Sequence, residues 1–186
     1  MSTIGVENIR FRDGVNAITL DSSGNTTFNK PPKYDSYAFH AYLSSTLTSQ
    51  TSSANIKIPF DATHLNLGNV YNTTSSKFIA PVNGYYWFSS NVRMQNQGAN
   101  ARVDLAITVN GVGKGSSGQN QTLSNDMGVQ LPGLTLDLNA NDEVEIYINA
   151  NGGSSFNILT TSNLGTIGTG GRQALTYLSG YLISRK

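Results

Sequence analysis

The sequence predicts an all-β protein, an antiparallel jelly-roll sandwich with a short β-hairpin arm at its N-terminus. Three observations point there. Only 12% of the 186 residues are charged; Asn, Ser, Thr and 19 glycines stand in their place, with many β-branched residues. That is the composition of short strands joined by turns. No segment carries the 3.6-residue period of an amphipathic helix. Instead, short alternating apolar segments recur along the chain, each closed by a turn signal.

The elements follow in order. In "NAITLDSSGNTTFNK" the strand "AITL", the turn "DSSGN" and the strand "TTF" form a hairpin. "KPPK" comes next; Pro31 and Pro32 remove two backbone donors and stiffen an extended linker. Residues 1–33 are therefore read as an arm and residues 34–186 as the main domain. An isolated two-stranded hairpin is marginal in water, so the arm is expected to pair with a sister copy, the main domain or another protein, through Ile18, Leu20 and Phe28. From Tyr34 onward, strands are expected in "SYAFHAYLSS", "NIKIPFD", "HLNLGNVYN", "SKFIAPV", "GYYWFSSNV", "ARVDLAITVNG", "LPGLTLDL", "EVEIYINANG" and "ALTYLSGYLIS". "QNQGANAR", "GVGKGSSGQNQTLSND" and "NGGSSFNILTTSNLGTIGTGGRQ" lack apolar periodicity and read as loops at the ends of the sandwich.

Composition also excludes functions. Twelve Lys and Arg against eleven Asp and Glu give a net charge of +1, scattered singly, with no basic stripe for nucleic acid. The start "MSTIGVENIRFRDG" lacks a basic-then-apolar signal pattern, and no apolar run reaches the length of a membrane span. A soluble protein without an export signal is expected, and the absence of cysteine fits assembly in a reducing cytosol.

Within this chain "APVNGYYWFSSNV" is anomalous. Tyr85, Tyr86, Trp87 and Phe88 stand in a row after a Pro–Val–Asn–Gly turn, although only 9% of the chain is aromatic. A strand with one wet face should alternate apolar and polar residues; this one carries large rings on both faces.

The spacing around that run resembles a known family. Phe60 is followed after five residues by Asn66, after four more by Tyr71, after six by Phe78 and after five by Gly84, which leads by alternation to Tyr86 and Phe88. This resembles the signature of the globular head of complement component one-q, a trimeric jelly roll related to the tumour-necrosis-factor superfamily. "AFHAYLSS" is similar to the family's first strand, "NDEVEIYI" to a late one and "SGYLI" to the last, so the resemblance covers roughly residues 36–184. One departure is Ser90, where the family has an aromatic.

The resemblance implies about ten strands and a threefold assembly. Tyr86 and Phe88, with Phe60, Tyr71 and Phe78, would fill the sandwich, while Tyr85 and Trp87 would face neighbouring subunits. The alternative for those two rings is cover by a loop of the same chain. Family members are adaptors, ligands and surface displays, so the resemblance implies binding rather than catalysis.

Catalytic and metal chemistry has little to build on. The two histidines, His40 and His64, show no zinc spacing. "GVGKGSS" follows Lys114 with Gly115, which does not match a phosphate loop. Asp104, Asp126 and Asp142 are the candidate oxygen ligands for calcium, and Asn25, Asn72 and Asn120 begin Asn-X-Thr sequons. No cofactor and no metal are expected.

The amide- and hydroxyl-rich surface, with "ITLDSSGNTTF" ahead of the head, resembles bacteriophage fibre and decoration proteins in composition. The expected function is a non-enzymatic homotrimeric virion protein, a tail fibre, spike or capsid decoration assembled in the bacterial host cytoplasm. Residues 1–33 would contact other virion proteins, and the head would bind a host glycan or protein or stabilise the particle. The alternatives are a bacterial surface or spore-coat display protein and a polysaccharide-degrading enzyme. The last would need two carboxylates about 5–10 Å apart in a groove.

Overall fold

The computed structural model describes residues 8–10, 16–28, 36–96, 100–120, 127–152, 155–160 and 175–186. The chain divides into two compact units, Met1–Asp35 and Ser36–Lys186.

In the first unit, β1 (Asn8–Arg10), β2 (Asn16–Leu20) and β3 (Thr26–Phe28) form an antiparallel sheet in the order β1-β2-β3. β2 and β3 are the expected hairpin; β1 is an added strand that the sequence reading did not include. The turn is held by Asp21. Its Oδ1 accepts from the backbone N–H of Ser23 (2.9 Å) and Asn25 (2.8 Å), and its Oδ2 accepts from the Asn25 side chain (2.8 Å). Those bonds to the charged form hold the Asp21 carboxyl below its ordinary pKa. Ile18 is half-buried and pairs in register with Phe28. The side chains of Leu20 and Phe28, and the "KPPK" linker, lie outside the described residues.

The second unit is a sandwich of two antiparallel sheets. Its strands in chain order are β4 (Ala38–Tyr42), β5 (Leu47–Gln50), β6 (Ile56–Lys57), β7 (Ala62–Leu67), β8 (Tyr71–Asn72), β9 (Lys77–Ile79), β10 (Gly84–Gln95), β11 (Arg102–Val109), β12 (Val112–Asn120), β13 (Met127–Leu138), β14 (Glu143–Asn151), β15 (Phe156–Leu159) and β16 (Tyr177–Arg185). One sheet has seven strands in the order β5-β15-β10-β16-β4-β7, with β13 also paired to β10. The other has six in the order β12-β11-β14-β9-β8, with β6 paired to β14. All the head's strand pairs are antiparallel, and among the described residues no helix occurs.

Two stretches expected as loops are strands. β12 is built from "VGKGSSGQN" and pairs with β11 through a turn at Asn110 and Gly111, whose φ angles of 51° and 77° are those of a tight Asn–Gly hairpin. β12 is an edge strand with mostly exposed residues, so no apolar alternation marks it. β15 lies within the third stretch and buries Phe156 and Ile158. Residues 97–99, 121–126, 153–154 and 161–173 of these stretches, and Ala174 of the expected last strand, lie outside the described residues.

The core sits between the sheets. Phe39 of β4 stacks on Tyr71 (centroids 5.0 Å apart) and Phe78 (5.2 Å), and Phe78 meets the edges of Phe88 (5.2 Å) and Tyr86 (5.4 Å). Phe60, Tyr71, Phe78, Tyr86 and Phe88 are all at most 3% exposed. The buried hydroxyls are satisfied: Tyr86 donates to the Val82 carbonyl at 2.8 Å and Tyr71 to that of Phe60 at 3.3 Å. Burial drives the Tyr71 phenol pKa upward, so it stays neutral. Ser90, the departure from the family pattern, is 1% exposed and donates to the Tyr177 carbonyl at 2.7 Å, which binds β10 to β16 through a side chain.

Gly180 of β16 is the in-register partner of both Phe88 and Phe39. A Cβ there would come within 2.7 Å of Phe88 Cδ1 and 2.8 Å of Phe39 Cε1. Gly180→Ala is therefore expected to destabilise the head by about 1–3 kcal/mol, because two packed rings must shift. Urea denaturation should show a lower midpoint with an unchanged slope.

Candidate functional site: the outer sheet face and the opposite groove

Along β10, burial alternates from Gly84 to Gln95. Tyr86, Phe88, Ser90, Val92 and Met94 point into the sandwich; Tyr85, Trp87, Ser89, Asn91 and Arg93 point away from it. Tyr85 is 43% exposed. Trp87 is half-buried. Its ring lies 5.4 Å from that of Tyr181 on β16, and on the other side it reaches β13 at Gly133. There the pairing of β10 with β13 is irregular between Phe88 and Ser90, opposite Pro132 and Gly133. A Cβ on Gly133 would lie 2.8 Å from the indole Nε1, so the bulge makes a notch for the indole.

The aromatic face continues sideways. Among the described residues, six large hydrophobics are exposed, and five belong to this sheet: Leu65 and Leu67 on β7, Tyr85 on β10, Tyr181 and Ile183 on β16. The sixth, Val112, is on the opposite sheet. Lys186 sits over the Tyr85 ring at 5.7 Å and pairs with Asp137 of β13.

Both histidines stand on the same face. His64 stacks on Tyr42 (4.2 Å) and on His40 (5.4 Å), and His40 stacks on Tyr177 (5.1 Å). His40 Nδ1 shares a 2.7 Å hydrogen bond with the Ser179 hydroxyl. Partial burial, reinforced by the neighbouring imidazole of His64, holds the His40 pKa below its ordinary value. The pair is a ring ladder across β7, β4 and β16 rather than a ligand set: among the described residues no group of three His, Cys, Asp or Glu side chains could hold a metal ion.

The calcium candidates are occupied otherwise. Asp104 is gripped by its strand neighbour Arg102, with Nε and Nη2 each 2.9 Å from its oxygens. Asp142 accepts from the Asn110 side chain (2.7 Å) and from the backbone N–H of Asn139 (2.8 Å), closing two turns. Asp126 lies outside the described residues.

A groove of about 710 Å³ lies on the opposite sheet, lined by residues that include Asn55, Asp104, Ala106, Tyr147 and Asn149. The sequence reading missed it, because its lining comes from β11, β12, β14 and the approach to β6, with its few polar residues scattered among them. The one signal available was the alternation of "RVDLAITV" and "EVEIYINAN", whose outward positions include Asp104, Tyr147 and Asn149.

Comparison with known proteins agrees with this architecture. The C1q domain family model matches residues 38–183. The structure of Eiger TNF from S. frugiperda is similar to this chain with a TM-score of 0.54 at 9% identity, covering 82% of this chain and 95% of that one. At that identity the likeness concerns the fold, a TNF-like jelly roll. No curated protein sequence matches the chain. With its sandwich, its Gly84-led aromatic strand and a family match over most of its length, the chain belongs to the C1q domain family.

Proposed function

We propose that this protein is a non-enzymatic homotrimeric display protein of a bacteriophage virion, a fibre, spike or capsid decoration. Its second unit is the binding head and residues 1–33 are the attachment arm. One observation carries the trimer: an exposed aromatic and aliphatic face, Tyr85, Tyr181, Ile183, Leu65 and Leu67 around half-buried Trp87, on one sheet of a C1q domain. A patch of that kind marks an interface, and three copies closing around it would cover the rings that β10 exposes. Fully burying each aromatic removes about 150–250 Å² from water. The virion setting rests on composition and on the separate small β-sheet preceding the head. Function then comes from avidity, with three identical heads engaging a repeated host surface. The reading of the head as a binder rather than a catalyst is supported by its family and by the groove, whose lining contains a single carboxylate, Asp104, already held by Arg102.

Trp87→Ala should weaken the trimer by about 2 kcal/mol or more, as expected for a central aromatic anchor. Light scattering across a dilution series checks this; a trimer of undiminished affinity would contradict the assignment.

Acid should weaken the head. Because the His40 pKa is lowered in the native state, the unfolded chain binds more protons as pH falls below 6.5. Stability is thus full above the ordinary histidine value and lost as pH falls through the depressed one. The titratable groups stacked on His40 are His64 on β7, itself stacked on Tyr42, and Tyr177 on β16. Replacement by a non-titrating ring, His40→Phe, is expected to flatten the dependence of the melting temperature between pH 7 and 5.

Deleting residues 1–33 should leave a soluble trimer that no longer enters particles, measured by immunoblotting of purified virions. Normal incorporation would refute the arm's role.

A further inference from the structure

We infer that the groove on the six-stranded sheet is a binding site for neutral oligosaccharides. The inference rests on the proposed reading of the head as a binding module and specifies its ligand class.

The pairing registers lay out the groove. Across β12, β11 and β14, one row is Gly118, Asp104 and Asn149; the next is Ser116, Ala106 and Tyr147; the third is Gly113, Thr108 and Glu145. The centre is low because Ala106 and the glycines carry little or no side chain. The polar side chains stand around it, already positioned. Asp104 is fixed by Arg102, and Asn149 donates to Asn55 at 2.8 Å. Tyr147 is a half-buried ring beside them.

Gly113 supplies a second, independent observation. It lies inside strand β12, where glycine costs stability. Its φ lies outside the left-handed region, and a Cβ added there would meet nothing within 4 Å. The pairing of β11 with β12 is irregular between Ile107 and Thr108, so Gly113 flanks a bulge, and the bulge leaves bare backbone with open space beside it at the groove.

The chemistry selects the ligand. Asp104 offers two acceptor oxygens, and Asn149 and Asn55 offer paired amide donors and acceptors, suited to adjacent sugar hydroxyls. The Tyr147 ring offers an apolar face to the C–H side of a pyranose, with a hydroxyl at its end. Charge argues against an anionic ligand: the one charged residue in the groove lining is the carboxylate Asp104. A volume of about 710 Å³ lies within the usual range of ligand sites, about 300–1,000 Å³. The groove belongs to the sheet opposite the aromatic face, so closure of a trimer around that face leaves three grooves open.

The test uses the full chain on an array carrying neutral hexose and N-acetylhexosamine oligosaccharides beside sialylated and sulfated ones. Hits are then titrated by calorimetry. The expected result is binding of neutral oligosaccharides, weakened tenfold or more both by Gly113→Gln and by Asn149→Ala. Gly113→Gln fills the groove without a clash, so its melting temperature should match the parent's. If no neutral oligosaccharide binds, if only anionic ones bind, or if Gly113→Gln leaves affinity unchanged, the inference is wrong. Light scattering on the same samples separates the two proposals. A monomer that binds sugar through the groove overturns the assembly and keeps the site, and a trimer without bound sugar does the reverse.

Discussion

The structure depends on β10 being paired along both edges and covered on its inward face. Its Gly84–Phe88 half is hydrogen-bonded to β13 along one edge and β16 along the other, and further on β15 takes over from β16. Among the described residues no strand of the head has more paired positions. Its inward rings, Tyr86 and Phe88, close with Phe78 and Phe39 into one aromatic cluster linking both sheets. At about 25 cal/mol per Å², a fully buried ring contributes roughly 4–6 kcal/mol of gross hydrophobic free energy, an upper bound because unfolded chains are partly compact. Neighbouring positions answer to that cluster. Gly180 is small because Phe88 and Phe39 both lie over it, and Ser90 replaces a ring by holding the Tyr177 carbonyl.

The six-stranded sheet is held differently. Its short strands β6 and β9 meet β14 through only two residue pairs each. Side-chain charge completes the join. Lys57 of β6 and Lys77 of β9 converge on Glu143 and Glu145 of β14, and Lys57 also donates to the Ser75 carbonyl at 2.7 Å. Glu145 is only 7% exposed, so removing either lysine would leave a carboxylate in a poorly hydrated place. These contacts fix β14, and β14 carries Tyr147 and Asn149.

How much was legible follows from what each strand does. β10, β11, β14 and β16 bury one face against the core, so their alternation is written in the residues, and Asn110–Gly111 marks its own turn. β12 left no trace because it lies on an edge and is half glycine and serine. β1 and β5 are short and polar or nearly so, as with "LTSQ". The spacing from Phe60 to Phe88 identified the family because its rings, Phe60, Tyr71, Phe78, Tyr86 and Phe88, fill one core, and Asn66 pins Tyr71 through two hydrogen bonds. The groove has no such constraint. Asp104 and Asn149 are far apart in sequence and become neighbours only through the β11–β14 register, and a polar residue facing outward on a strand looks like any other.

The two outer faces therefore differ for a physical reason. A sandwich satisfies its core with the inward half of each strand and leaves the outward half free to vary. On the seven-stranded sheet that freedom is spent on Tyr85, Trp87, Tyr181, Leu65 and Leu67, groups that lower their free energy only when something covers them. On the six-stranded sheet it goes to Asp104, Tyr147 and Asn149 around the bare backbone of Gly113, groups that tolerate water and can exchange it for hydroxyls. Reversing the assignment would fail on both sides. Polar groups buried between subunits would need partners, and an apolar outward surface would aggregate. On the proposed reading, adhesion among copies and recognition of an oligosaccharide fall on opposite sheets, and neither interferes with the other.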